Sequence, residues 1–163
     1  MTKTPRSAAP ARDEAGVGRF IERFSSAMAE AGMPRMPARV FAALLIDDDG
    51  ARTSAELAEQ LEVSPAAISG AVHYLVQVGL VARGRQPGSR RDVYRLYSDV
   101  WYEVFARQDQ RYARWIDSMR DGISAVGPQT PAGRRLGETM GFFDYLRTEL
   151  PGLIERWHEQ NAG

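Results

Sequence analysis

The sequence predicts a mainly α-helical chain with one small β-hairpin near its middle, and three observations carry that expectation. Apolar residues recur at i, i+3, i+4 and i+7 through six separate stretches. That period is lost once, between residues 80 and 97, where two short β-prone runs flank a Pro-Gly turn. Gly, Pro and helix-capping residues stand at the joints between stretches. With 163 residues, 44% of them hydrophobic, the chain has apolar surface enough for a packed core and length for one domain plus an extension.

Residues 1–12 carry Pro, Ser, Ala and basic groups with no acid, and are expected to be a disordered tail. From Asp13 on, Val17, Phe20, Ile21, Phe24, Met28 and Ala31 form the apolar stripe of a first helix, closed by Gly32 and Pro34. Pro37 suits the first turn of a second helix that buries Val40, Phe41, Leu44 and Leu45 and stops at the Asp47–Gly50 break. Thr53 or Ser54 caps a short third helix, with Glu56 placed for a capping box from Thr53 and with Leu57, Ala58 and Leu61 facing inward. Ser64 and Pro65 supply the N-cap and first position of a fourth helix. Its apolar stripe is Ile68, Ala71, Val72, Leu75 and Val76, and Gly79 ends it. Leu80-Val81-Ala82 and Val93 to Tyr97 then pair as a hairpin around Pro87-Gly88. Ser98 caps a long helix, roughly 40 Å at 1.5 Å per residue, that ends at Gly127-Pro128. Thr130 and Pro131 open the last helix, which continues past an expected break at Pro151.

Composition excludes several kinds of chemistry. A chain without Cys has no disulfide, thiolate nucleophile or Cys-ligated metal, and two His, at 73 and 158, leave little for metals of any kind. Asp47, Asp48 and Asp49 before Gly50 lack the alternate spacing and closing Glu of a calcium loop, so a solvated turn is expected there. Glu155 and His158 make one half of a di-iron motif whose second half is missing. No catalytic triad, phosphate-binding loop or dinucleotide fingerprint appears, so neither an enzyme nor a cofactor is expected. No run of about 18 apolar residues is present, and the first residues lack the apolar core of a secretion signal, so a cytoplasmic chain with no membrane contact is expected.

The 21 basic and 21 acidic residues cancel, which gives no global pull toward a polyanion. Locally the balance fails. Arg83, Arg85, Arg90, Arg91 and Arg95 stand against the single Asp92 in the hairpin, an excess of four positive charges. Lys3 is the only lysine in the whole chain, so Arg is the basic residue everywhere and no single Arg is informative by itself. Once the fourth helix's stripe is removed, Ser64, Ala66, Ala67, Ser69, Gly70 and His73 remain on its outer face. Small residues permit close approach of a helix to a groove wall, and the helix N-terminus favours a phosphate. Two helices joined by a tight turn and followed by a basic hairpin make a winged helix-turn-helix. The expected nucleic-acid contacts are therefore those six helix residues with Arg83, Arg85, Ser89, Arg90, Arg91 and Arg95. The alternative is a winged-helix module that pairs with protein and has no specific DNA binding.

The stretch Ser54-Ala-Glu-Leu-Ala-Glu-Gln-Leu-Glu-Val-Ser64-Pro-Ala-Ala-Ile-Ser69, with Gly79-Leu80-Val81 and the wing Gly88-Ser-Arg90-Arg91-Asp-Val-Tyr94-Arg-Leu96, resembles the core of MarR-family transcription regulators. Its Gly-x-Arg wing is closer to the GbsR-like branch, because the family's usual wing tip is Asp-x-Arg and Gly88 stands at the Asp position. Gly70 likewise stands where family members commonly carry Arg. The resemblance spans roughly residues 36–97 and implies a homodimeric DNA-binding regulator, a repressor by family analogy, on a pseudo-palindromic double-stranded operator. It divides the chain into a tail (1–12), an N-terminal dimerisation helix (13–35), the winged helix-turn-helix (36–97) and C-terminal dimerisation helices (98–163). The long apolar stripe on the residue 98–126 helix independently asks for a partner. The resemblance also implies a small apolar or aromatic effector, for which Phe24, Met28, Met33, Met36, Trp101 and Phe105 are the candidates by chain position, although each is by type an ordinary core residue.

Overall fold

In a computed structural model the described residues are 12–86, 88–97 and 100–161, without the side chains of residues 102, 103 and 105–107. The elements are α1 (Glu14–Glu30), α2 (Arg35–Leu45), β1 (Ala51–Thr53), α3 (Ser54–Leu61), α4 (Pro65–Gln77), β2 (Val81–Arg85), β3 (Asp92–Leu96), α5 (Val100–Val126) and α6 (Pro131–Asn161). They form two compact units, one of residues 1–75 with 83–96 and one of residues 76–82 with 97–163.

In the first unit, α2 is the centre. Pro37, Ala38, Val40, Phe41, Ala42, Ala43 and Leu44 are all buried, so this helix is enclosed around nearly its whole circumference. Val17 and Ile21 of α1, Leu57 and Leu61 of α3, and Ile68, Ala71, Val72 and Leu75 of α4 complete the core. The N-termini follow their capping chemistry. Asp13 accepts from the Gly16 amide to start α1, and Thr53 and Glu56 form the expected reciprocal box at α3. Pro34, which lacks a side-chain acceptor, is the N-cap of α2, so that helix begins at Arg35 and Pro37 falls within its first turn.

The sheet has three strands in the order β1-β3-β2, one more than the sequence predicts. β1 is only three residues long, too short to display an alternating pattern, and it pairs antiparallel with β3 through Ala51↔Arg95, Arg52↔Tyr94 and Thr53↔Val93. The turn before it is organised by Asp47. Its carboxylate accepts from the Asp49 and Ala51 amides at 3.1 and 3.3 Å and pairs with Arg52 at 2.6 Å, with only 8% of the side chain exposed. The solvated turn expected here is thus a capped one, and only Asp48 and Asp49 are exposed. Arg12, expected in the tail, is tied to the same turn through the Ile46 carbonyl at 2.8 Å and Asp48 at 3.3 Å. Residues 1–11 and the expected cap Ser98 lie outside the described residues.

In the second unit, α5 and α6 pack as an antiparallel pair. Asp109 meets Arg147 at 2.9 Å, Tyr112 and Trp115 meet Phe143 with ring centroids 5.1 and 5.0 Å apart, and Gly122 faces Leu136. The connection reverses at Gly127, whose φ of 87° lies in the left-handed region. Thr130 then caps α6 by accepting from the Gly133 amide at 3.0 Å. The expected break at Pro151 does not occur, and α6 runs through it to Asn161. Pro151 is exposed, so its ring lies on the outer face of the helix, and the continuation costs α6 one backbone hydrogen bond, since proline has no N–H to offer the Arg147 carbonyl.

Gly133 is where the helix pair cannot tolerate a side chain. A Cβ there would collide with the Gly127 carbonyl oxygen and stand 3.0 Å from the Pro128 backbone. Gly133→Ala is expected to lower stability by about 1–3 kcal/mol despite alanine's higher helix propensity, because backbone must move to admit it. Urea unfolding followed by circular dichroism measures the change, and a stability equal to or above wild type would show that the connection yields.

Candidate nucleic-acid interface

The helix-turn-helix is built from α3, the residue 62–64 turn and α4. Glu62 closes α3 in the left-handed region (φ 53°, ψ 46°), and the Val63 amide reaches back to the Ala58 carbonyl at 3.0 Å. This places a charged residue where glycine is usual, and it reverses the chain within three residues. Ser64 then caps α4 by accepting from the Ala67 amide at 3.3 Å, leaving its hydroxyl hydrogen for an outside acceptor.

Of the six predicted α4 residues, Ser64, Ala66, Ser69, Gly70 and His73 are exposed and Ala67 is half-buried. The opposite face is sealed by Ile68, Ala71, Val72 and Leu75. The space around Gly70 is open, with nothing within 4 Å of the point a Cβ would occupy, so an alanine fits there without contact. The exposed face of α4 is therefore lined by small residues and lies opposite the side that joins the core.

The wing is the β2–β3 hairpin. Its tip is drawn in by the Ser89 amide to the Gln86 carbonyl and the Gln86 amide to the Arg91 carbonyl, both 3.0 Å, with Gly88 at φ 74°. Ser89 is half-buried and its hydroxyl accepts from the Arg91 amide at 3.1 Å, so it shapes the tip as well as lying on it. Arg83 pairs across the hairpin with Asp92 at 2.5 Å, a tie that sequence spacing did not reveal. The hydrogen bond from Arg83 holds the Asp92 carboxyl below the ordinary carboxylate range and raises Arg83 in return. The wing's only acid is thereby hydrogen-bonded to Arg83, and the charge of Arg85 adds a smaller electrostatic contribution. The exposed guanidinium groups of Arg85, Arg90, Arg91 and Arg95 have no hydrogen bond or ion pair among the described residues, so the excess of four charges stays available on four side chains.

Four of the candidate effector residues, Phe24, Met28, Met33 and Met36, lie in the first unit. Phe24 stacks on Phe20 at 5.4 Å along α1, Met28 and Met33 lie at the end of that helix, and the Met36 sulfur stands 3.8 Å from Arg39 in α2. All four are half-buried, whereas Trp101 belongs to α5 of the second unit and is 45% exposed; the Phe105 side chain is outside the described residues. Among the described residues no group of three or more His, Asp or Glu is placed to hold a metal ion, and no helix is long and apolar enough to cross a membrane.

Two family models match the chain. Residues 31–92 match a model described as MarR family, and residues 99–160 match one described as MmpR5-like MarR family transcriptional regulator. The HTH-type transcriptional regulator MmpR5 of Mycobacterium tuberculosis is 26% identical over 154 residues, covering 91% of each chain. A crystal structure described as that of a transcriptional regulator superposes with a TM-score of 0.80 at 25% identity, covering 88% of this chain and 99% of that one. The proteins so matched are transcriptional regulators and not enzymes.

The wing depends on β1, and β1 depends on the Asp47 turn. Burial opposes ionisation of Asp47, but the Ala51 and Asp49 amides and Arg52 outweigh it, so its folded-state pKa is lowered. A lowered carboxylate adds stability that is complete above the unfolded value near 4 and is lost as pH falls through the lower folded value. Stability of the first unit is expected to drop below about pH 4. Asp47→Asn should reduce stability at pH 7 and flatten that acid limb; an unchanged limb in thermal melts across pH 3–6 would remove Asp47 as its source.

Proposed function

We propose that the chain is a MarR-family transcriptional regulator with a DNA-binding winged helix, supported by the matches over residues 31–92 and 99–160, and that it acts as a homodimer on a two-fold symmetric duplex site. The four unpaired wing arginines, in the same compact unit as a recognition helix with a small, core-independent outer face, carry the reading. Recognition helix α4 enters the major groove with Ser64, Ala66, Ala67, Ser69, Gly70 and His73 toward the bases and backbone. Arg85, Arg90, Arg91 and Arg95 meet phosphates and the flanking minor groove, with Arg83 holding the wing's shape through Asp92.

The DNA-binding part is assigned to residues 36–97. The dimerisation parts are residues 13–35 and 98–163. The support for a dimer is the poverty of the second unit's own core. Val100, Ile116 and Gly133 are the buried residues among those described in α5 and α6, while Trp115, Phe142, Tyr145, Leu153 and Trp157 are 44–62% exposed. Two long helices with that much aromatic surface need a further layer. Repression, and release by a small apolar or aromatic effector near Phe24, Met28, Met33, Met36, Trp101 and Phe105, complete the proposal by analogy with the family. Within the family, the Gly88-Ser89-Arg90 wing supports a GbsR-like placement, and the match over residues 99–160 supports an MmpR5-like one.

Selection from random-sequence duplex should enrich a site with two-fold symmetry; no enrichment would favour the protein-interaction module instead. On that site, replacing Arg90 and Arg91 together by Ala should weaken binding and reduce the slope of log affinity against log salt by about 0.9 for each phosphate no longer neutralised. An unaltered slope would take the wing tip off the backbone. Sedimentation at micromolar protein should give a dimer, and a stable monomer would refute the role of α5 and α6.

A further inference from the structure

We propose that Arg39 is a positioning residue for the recognition helix. It clamps the C-terminus of α3 to α1 and thereby sets the direction in which α4 leaves the turn. The inference rests on the DNA-binding reading and adds a residue that touches no nucleic acid in it.

Arg39 stands on α2, the helix against which α1 and α3 both pack. Its Nε and Nη2 both lie 2.9 Å from Glu22 Oε1 on α1, and Nη2 also donates to the Leu61 carbonyl at 3.3 Å. Leu61 is the last residue of α3. The carbonyls of Ala58 and Glu59 in that turn are taken by the Val63 and Glu62 amides, so Arg39 serves a helix-end carbonyl that the turn itself leaves over. A cation at a helix C-terminus is also favoured by the helix dipole. Four residues farther along, α4 begins, so any tilt at Leu61 is delivered to Ser64 and the groove-facing residues.

The geometry requires a guanidinium. A planar fork can serve the carboxylate along one edge and the carbonyl from the same nitrogen, whereas an ammonium on a flexible stem offers a single point of charge. Nη1 lies 3.8 Å from the Met36 sulfur, and the Arg39 side chain is only 20% exposed, so the clamp is more sheltered than a surface ion pair. Arg35 adds a longer contact to the other Glu22 oxygen at 3.8 Å. A movement of α1 at Glu22, or of Met36, is therefore felt at the end of α3.

The experiment compares the full-length wild type with Arg39→Lys, Glu22→Gln and the double variant. Binding is measured by fluorescence anisotropy against the selected two-fold site and a scrambled duplex, over a range of salt and below each protein's unfolding transition. Arg39→Lys is expected to lose about tenfold in affinity for the selected site, with the scrambled duplex and the salt slope unchanged, because aim is lost and phosphate pairing is not. Glu22→Gln should lose less in the same direction, and the double variant should be no worse than Arg39→Lys alone. Wild-type preference in a folded Arg39→Lys protein would overturn the proposal. So would an equal loss on both duplexes with a shallower salt slope, which would make Arg39 a phosphate contact. If Arg39→Lys does not fold, Glu22→Gln decides, since unchanged preference there refutes the clamp and reduced preference supports it. Failure of the wild type to prefer any duplex would instead refute the DNA-binding reading, and the clamp's role with it.

Discussion

The first unit is governed by the enclosure of α2. A helix buried from Pro37 to Leu44 on nearly every side has no solvent face to tilt toward, so its neighbours must supply walls all round. α1 covers one side, α3 another, and β3 approaches from the sheet. Small Ala38, Ala42 and Ala43 let those walls come close, while Val40, Phe41 and Leu44 fill the space between them. The position of the recognition helix and the wing follows from this packing, because both hang on elements that α2 holds. Arg39 is the half-buried polar exception in that stretch, and its charged end emerges where α1 and the end of α3 can share it.

A zero net charge conceals a division between spent and unspent groups. Asp47 is occupied by Arg52 and two amides, Asp48 by Arg12, Glu22 by Arg39, Glu56 by Thr53 and Asp92 by Arg83. Four of these acids are each matched by an arginine, while Glu56 is held by the Thr53 amide and hydroxyl. Four wing arginines have no such employment. The potential a polyanion meets is set by the unspent charges and falls off over roughly 10 Å at 0.1 M salt, so local accounting outweighs the total.

What the sequence made legible was local. The Thr53–Glu56 box, the Ser64 cap before Pro65 and the Thr130 start of α6 all depend on spacings of three or four residues, and each is found as expected, whereas the helical stripes are buried only in part, with Leu45 and Val76 half-buried and Phe20 and Trp115 exposed. Ties that span the chain were not legible. Arg39 with Glu22, Arg12 with Ile46 and Asp109 with Arg147 join residues 17 to 38 positions apart, and no periodicity marks them. β1 was missed because three residues cannot show an alternation, and the Pro151 break was expected because propensity ignores which face the proline occupies. Of the proposed contact surface, the exposed α4 face and the basic wing were readable from composition and period. The pairing that removes Arg83 from the free set was not, because it is a choice among five arginines that only the cross-strand geometry makes.

The openness around Gly70 bears on how such a regulator changes its target over time. Residues that read DNA usually share atoms with the scaffold, so a new preference must be reconciled with stability. Here Ser69, Gly70 and His73 face outward, the core is sealed by their neighbours on the other side of α4, and nothing lies within 4 Å of the point a Cβ would occupy at position 70. In the proposed reading, recognition and folding fall on different faces of one helix. A duplicated copy of this chain could then drift to a new DNA site by changing exposed residues alone, which would make the bare face of α4 a reserve of evolvability.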